Sequence, residues 1–260
     1  MNSHKALFLG CGGSAGVPLI TQKGGYWGKC DSSNPKNERT RASLLVTYHG
    51  KRFLIDTSTD LRTQFLREKI TDIDAVLYTH DHADHIHGID ELRPLYFARG
   101  QRSIPCYADP ALLKGLQDRF TYLFRAGSLS IYPKVLEPFP LLPGPNKIEN
   151  TDVIAFPQEH GPITSLGFRF GDFAYSTDFK ALPQESLEVL KGIKMWVVDC
   201  VSLEEKPTHC HLPLALEWIK KVAPEKAYLT HMGETLDYDT LKKSLPSYVV
   251  PAYDGLEITF

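Results

Sequence analysis

Thr79-His80-Asp81-His82-Ala83-Asp84-His85-Ile86-His87-Gly88 packs four of the chain's ten histidines into eight residues. An even spread of ten histidines over 260 residues would place about 0.3 in such a window. Imidazole nitrogens and carboxylate oxygens are the donors that hold borderline divalent metals. Imidazoles this close repel one another on protonation, and a metal relieves that by taking their lone pairs. The segment follows Ala75-Val76-Leu77-Tyr78-Thr79, an apolar run that reads as a buried strand. The histidines therefore stand at a strand end, where a rigid sheet positions its loops.

Working outward, the arrangement recurs. His160 lies just past an expected strand over 153–156. Asp178 follows Phe173-Ala174-Tyr175-Ser176-Thr177, and His231 follows Ala227-Tyr228-Leu229-Thr230. Taken singly, each reads as a hydrogen-bonded core or surface residue. Four strand ends carrying ligand-type side chains can instead converge on one rim. His4, His49 and His87 keep the structural reading.

Further strands are expected over 5–9, 43–48, 52–56, 104–108, 166–170 and 195–199, with a hairpin at His49-Gly50-Lys51. Helical spacing marks Leu61, Phe65 and Leu66, then Ile89, Leu92 and Tyr96. It returns at Leu112, Leu113, Leu116 and Phe120, and at Ala215, Trp218, Ile219 and Val222. The proline- and glycine-dense stretch 138–145 reads as a loop between two structured halves. Gly10-Cys11-Gly12-Gly13-Ser14-Ala15-Gly16 is similar to a dinucleotide fingerprint, but that motif needs a helix directly after it. Pro18 and Gly24-Gly25 follow instead, so a tight turn is the better reading. Hairpins mixed with strand–helix units predict mixed sheets covered by helices, one α/β (α+β) domain over 1–260.

Bulk properties narrow the function classes. A formal net charge of -2 offers no global field to attract a polyanion, which argues against nucleic acid as partner. No apolar run approaches the ~18 residues of a membrane span. Five cysteines, Cys11, Cys30, Cys106, Cys200 and Cys210, include no C-x-x-C pair and do not form a disulfide framework. A reducing, cytoplasmic setting is the simplest expectation. No G-x-S-x-G occurs, and Cys210 faces away from His209 if that segment is extended.

His80-x-His82-x-Asp84-His85, followed by Gly88, resembles the H-x-H-x-D-H signature of metallo-β-lactamase-fold hydrolases. The likeness continues through Asp56, His160, Asp178 and His231. Gly10-x-Gly12-Gly13-x-x-Gly16-Val17-Pro18, Gly88-Ile89-Asp90-Glu91-Leu92-Arg93 and Tyr253-Asp254-Gly255-Leu256-Glu257-Ile258 are similar to the cyclic-phosphate phosphodiesterase branch, whose best-described member hydrolyses phosphoribosyl 1,2-cyclic phosphate. This resemblance implies a four-layer αββα sandwich of two mixed β-sheets flanked by helices, with two divalent ions (zinc or manganese, with iron open). His80, His82 and His160 would hold one ion, Asp84, His85 and His231 the other, and Asp178 would bridge them. Asp56 would order the ligand loop.

The implied reaction is attack of a shared hydroxide on the phosphorus of a small phosphodiester. Asp84 and His209 would be its catalytic residues. His209 matches the branch's histidine near the phosphate, as general acid or phosphate stabiliser; capping of a helix near Pro213 is the competing reading. His211 stands where the branch often has aspartate. The branch's extra cysteines for a structural zinc site are missing around Cys30. Asn37, Arg39 and Arg41 are candidate phosphate contacts or a solvated turn. A tRNA 3′-processing nuclease would use the same ligands, but no lysine-rich arm for tRNA is visible. A non-hydrolytic accessory protein like that of quinone-cofactor biosynthesis is the other alternative, and a homodimer is left open.

Overall fold

The computed structural model describes residues 4–125 and 133–260. The chain enters a first sheet with β1 (Lys5–Gly10) and leaves it for a small hairpin, β2 (Leu19–Thr21) and β3 (Gly24–Tyr26). It returns through β4 (Ser43–Tyr48), β5 (Lys51–Ile55), β6 (Ala75–Leu77), β7 (Ile104–Ala108) and β8 (Leu136–Pro140). A second sheet holds β9 (Gly144–Ile148), β10 (Thr151–His160), β11 (Ile163–Phe170), β12 (Phe173–Ser176), β13 (Met195–Asp199), β14 (Lys226–Thr230) and β15 (Val249–Pro251). Finally β16 (Glu257–Thr259) goes back to pair with β1. The sheets run in the orders β16-β1-β4-β5-β6-β7-β8 and β15-β14-β13-β12-β11-β10-β9. Both change from antiparallel to parallel pairing partway across, at β5–β6 in the first sheet and at β12–β13 in the second.

Period-two alternation sorts the side chains between two cores. In β4, β5 and β6, Leu44, Val46, Phe53, Ile55 and Leu77 face the second sheet, where they meet Phe168, Phe170 and Phe173. The intervening Leu45, Leu54 and Val76 face outward, onto helices α1 (Leu61–Arg67), α3 (Leu92–Ala98) and α4 (Pro110–Arg119). The one-turn α2 (Ala83–Ile86) lies before α3, and α5 (Thr121–Phe124) follows α4. On the far face of the second sheet lie α6 (Gln184–Leu190), α7 (Leu212–Val222) and α8 (Tyr238–Ser244). Ala215 and Ile219 of α7 are fully buried, at the i, i+4 spacing of one helix face. This is the expected αββα layering.

Stretch 138–145 corrects an expectation: it contains the end of β8 and the start of β9. Each is the outermost strand of its sheet, so Pro138, Pro140 and Pro145 lie where a missing N–H is tolerated. β10 also runs further than 153–156, so that His160 is its last residue. Asn37 and Arg39 are likewise neither solvated nor free for phosphate. Arg39 is 2% exposed, and its guanidinium donates to the carbonyls of Gly233 (3.1 Å) and Leu236 (2.6 Å) and to Asn37 Oδ1 (3.1 Å). Arg41 pairs with Asp60 at 3.0 Å.

Candidate metal centre

Three turns bring the site together, and each demands unusual backbone. Asp56 (φ 61°) follows β5, Asp178 (φ 51°) lies two residues past β12, and His231 (φ 59°) follows β14. Non-glycine residues in the left-handed region each cost of order 1–3 kcal/mol and cluster at functional sites. Behind the histidine segment, Gly88 is required by close packing. A Cβ there would fall 1.9 Å from the Ser58 carbonyl oxygen.

All seven expected ligands converge. His80, His82, His160 and Asp178 each place a donor atom within 4.8 Å of the others, and Asp84, His85 and His231 do the same. The Asp178 carboxylate divides between the groups. Its Oδ1 lies 3.3 Å from both His85 Nε2 and His231 Nε2. Its Oδ2 lies 3.6 Å from His80 Nε2 and 3.7 Å from His160 Nε2. Neighbours fix the ring orientations. His85 Nδ1 is 2.7 Å from Asp56 Oδ2, His80 Nδ1 is 2.9 Å from Thr79 Oγ1, and His160 Nδ1 donates to the Thr208 carbonyl at 2.8 Å. Each contact leaves Nε2 turned toward the shared centre. His82 presents Nδ1, 3.3 Å from His160 Nε2.

Charge makes the case for cations. Asp56, Asp84, Asp178 and Asp199 are all buried, and every ion pair they make among the described residues is with a histidine. Burial alone would raise Asp178, but His231, His85 and His80 hold its carboxyl well below the usual range. Asp84, which burial would also raise, is kept low by the neighbouring imidazoles of His231 and His85. His80 is lowered well below an ordinary imidazole by burial and by His85. Nε2 of His80 and of His85 is buried without a hydrogen-bond partner. Buried imidazole nitrogens facing buried carboxylates, with no lysine or arginine paired to them among the described residues, are a donor set that fits two divalent ions.

His209 joins the same centre. Its Nδ1 lies 3.3 Å from Asp199 Oδ2 and its Nε2 is 3.8 Å from Asp178 Oδ2. The ring stacks on His231 with centroids 5.0 Å apart. It does not cap α7, whose N-cap is His211 and carries no side-chain cap bond. Cys210, beside it, is fully buried in the core. His87 stays outside the cluster, its ring 6.4 Å from Phe120.

Asp199 was not anticipated. It ends β13, has no exposure, and its Oδ1 lies 3.5 Å from His231 Nδ1 while Oδ2 serves His209 and the Cys210 N–H. The strand-end rule that found Asp178 and His231 applies equally to Asp199 after Met195-Trp196-Val197-Val198. Asp254, by contrast, fastens the architecture. Its carboxylate accepts from Cys11 N (3.0 Å), Thr40 N (2.9 Å) and Thr40 Oγ1 (2.5 Å), and pairs with Arg67. The terminal motif therefore makes no direct case for phosphate.

A family model described as the beta-lactamase superfamily domain matches residues 51–232. A solved structure described as a new diphosphatase from the PhnP family is 35% identical, covering 99% of this chain and 97% of that one with a TM-score of 0.88. Zinc-bound PqqB from Methylobacterium extorquens superposes with a TM-score of 0.76 over 98% of this chain and 100% of its own; at 17% identity this shows the fold alone. A Porphyromonas gingivalis protein named octanoyltransferase is 33% identical over 97% of this chain and 51% of its own length, so the chain spans about half of it. Clostridium kluyveri ribonuclease Z is 40% identical over 65 residues, 24% of this chain and 22% of that protein.

Proposed function

The chain belongs to the β-lactamase superfamily of metallo-β-lactamase-fold hydrolases, within the PhnP family, and on that premise we propose that it hydrolyses small cyclic or linear phosphodiesters. The observation that carries this reading is Asp178, one buried carboxylate facing two groups of imidazoles, with His209 against the same oxygen as His80 and His160. His80, His82 and His160 would hold one divalent ion, Asp84, His85 and His231 the other, with Asp178 between. Bound there, the ions supply Lewis acidity that acidifies water and neutralises charge on phosphoryl oxygens.

The chain's own groups do the rest. Asp84 and Asp178 contribute carboxylate charge to the centre, and Asp56 holds the His85 ring so that Nε2 keeps its lone pair. Asp199 orients His209 with Nε2 facing the cluster, where it can donate a proton to a departing alkoxide. Metal-loaded protein incubated with cyclic nucleotides, linear diesters and a diphosphate ester tests the reading. Turnover of the diesters supports it. The PhnP-family neighbour is described as a diphosphatase, so turnover of the diphosphate alone shifts the substrate to phosphoric anhydrides. Cleavage of pre-tRNA alone would favour the tRNA-processing alternative, and metal binding without any turnover the accessory role. The octanoyltransferase name belongs to a protein twice the matched length and does not carry over on identity alone.

A further inference from the structure

We infer that an apolar cleft beside His80 receives an alkyl ester group of the substrate. The inference rests on the phosphodiester reading only for its anchor, the phosphoryl group at the metal cluster. The cleft has a volume of about 320 Å³ and lies where α4 begins, against the β8–β9 connection and β11. Leu112, Leu141, Leu142, Pro143, Ile163 and Leu166 supply most of its wall. Two features tie it to the centre: His80 itself is part of the lining, and Ile163 is the cross-strand partner of His160. A group bonded to a phosphoryl centre held at His80 and His160 is thus within reach of the cleft.

Its chemistry excludes an anion. Apart from His80, the ionisable lining groups among the described residues are two carboxylates, Asp81 and Asp109. Asp81 is engaged by Arg119. Asp109 caps α4, accepting from Ala111 N (2.9 Å) and Leu112 N (3.0 Å). Among the described residues no lysine or arginine lines the space, so a second phosphate would find no cationic partner there. An alkyl chain meets leucine, isoleucine and proline. A methylene fills about the volume of a water molecule, ~30 Å³ in the liquid, so the cleft has room for a chain of several carbons.

Calorimetry with zinc-loaded protein and the non-hydrolysable methyl-, butyl- and octylphosphonates tests this without requiring turnover. Affinity should rise by up to roughly fourfold for each methylene buried, with an increasingly negative heat-capacity change. Ala111→Trp and Thr164→Trp, both at exposed lining positions, should flatten the octyl gain while keeping the affinity for methylphosphonate. Equal affinity for methyl- and octylphosphonate in the unmodified protein overturns the inference, as does an octyl gain undiminished in both tryptophan variants. Turnover of methyl 4-nitrophenyl phosphate, measured alongside, separates the two readings. Chain-length gains without that turnover retain the cleft's ligand and reject the phosphodiesterase, whereas turnover without gains does the reverse.

Discussion

Asp56 Oδ2 lies 2.7 Å from His85 Nδ1, on the far side of the imidazole from the Nε2 that faces Asp178. The same carboxylate accepts from Thr79 N (2.8 Å) and Thr79 Oγ1 (2.7 Å), and Thr79 Oγ1 in turn contacts His80 Nδ1. One buried aspartate thereby orients rings from both ligand groups. Asp56→Asn keeps the size and tolerates the left-handed backbone but no longer fixes the His85 tautomer. Metal affinity, read by competition against a chromophoric chelator, should fall roughly 10- to 100-fold. An unchanged affinity would show that the contact is structural only.

Removal of the metals should destabilise the whole domain, because the buried carboxylates lose their counter-charge. At metal concentrations of about a thousand times Kd the linkage is worth ~4 kcal/mol. For a domain of this size each kcal/mol corresponds to roughly 2–4 °C. Calorimetric melting should therefore drop by on the order of 10 °C after exhaustive chelation and recover on adding zinc or manganese. Asp178→Asn and His82→Ala should bind less metal, lose turnover and show a correspondingly smaller chelation effect.

His209 and Asp199 act as a pair at the protonating side of the site. His209→Ala should retain metal yet lose roughly 100-fold or more in kcat on diesters with alkoxide leaving groups. With 4-nitrophenolate, which leaves without a proton, the loss should shrink to a few-fold. Asp199→Asn should repeat that leaving-group pattern in weaker form, because it perturbs the orientation of His209 without deleting the ring. An equal loss on both substrate types would exclude a proton-donor role and leave His209 as a phosphate contact.

What could be read from the chain follows from where the information is local. Strands β4, β5, β6, β12, β13 and β14 carry apolar runs that state their own burial, and the ligands stand at or just beyond such runs. Mixed sheets under helices and ligand-type residues at four strand ends were legible for that reason; the four-layer arrangement and the full ligand set were implied by the resemblance to metallo-β-lactamase-fold hydrolases. β8 and β9 were not, because edge strands accept proline and their pairing is decided by a partner elsewhere. Arg39 could not be placed either: its charge suggests solvent, whereas two of its acceptors, the Gly233 and Leu236 carbonyls, stand nearly two hundred residues away. Asp199 was readable by the strand-end rule. It lies outside the ligand set that the family resemblance implies.

The loop that Arg39 grips is also closed by Asp237, and this makes a pH-dependent prediction. Asp237 caps α8 through Thr240 N (2.9 Å) and Thr240 Oγ1 (2.7 Å), and accepts from Asn37 Nδ2 (2.7 Å) and Asp31 N (3.2 Å). Burial would raise its carboxyl, but these donors pull it down to about 2. The native state thus binds fewer protons at this site than the unfolded chain, so the stabilisation is complete above the ordinary aspartate range near 4. It disappears as pH falls through about 2. Asp237→Ala should cost about 1 kcal/mol at neutral pH, the usual worth of an N-cap. The difference in denaturation midpoint between the two proteins should narrow steadily below pH 4, and a gap that stays constant into acid would mean that the cap's ionisation contributes nothing.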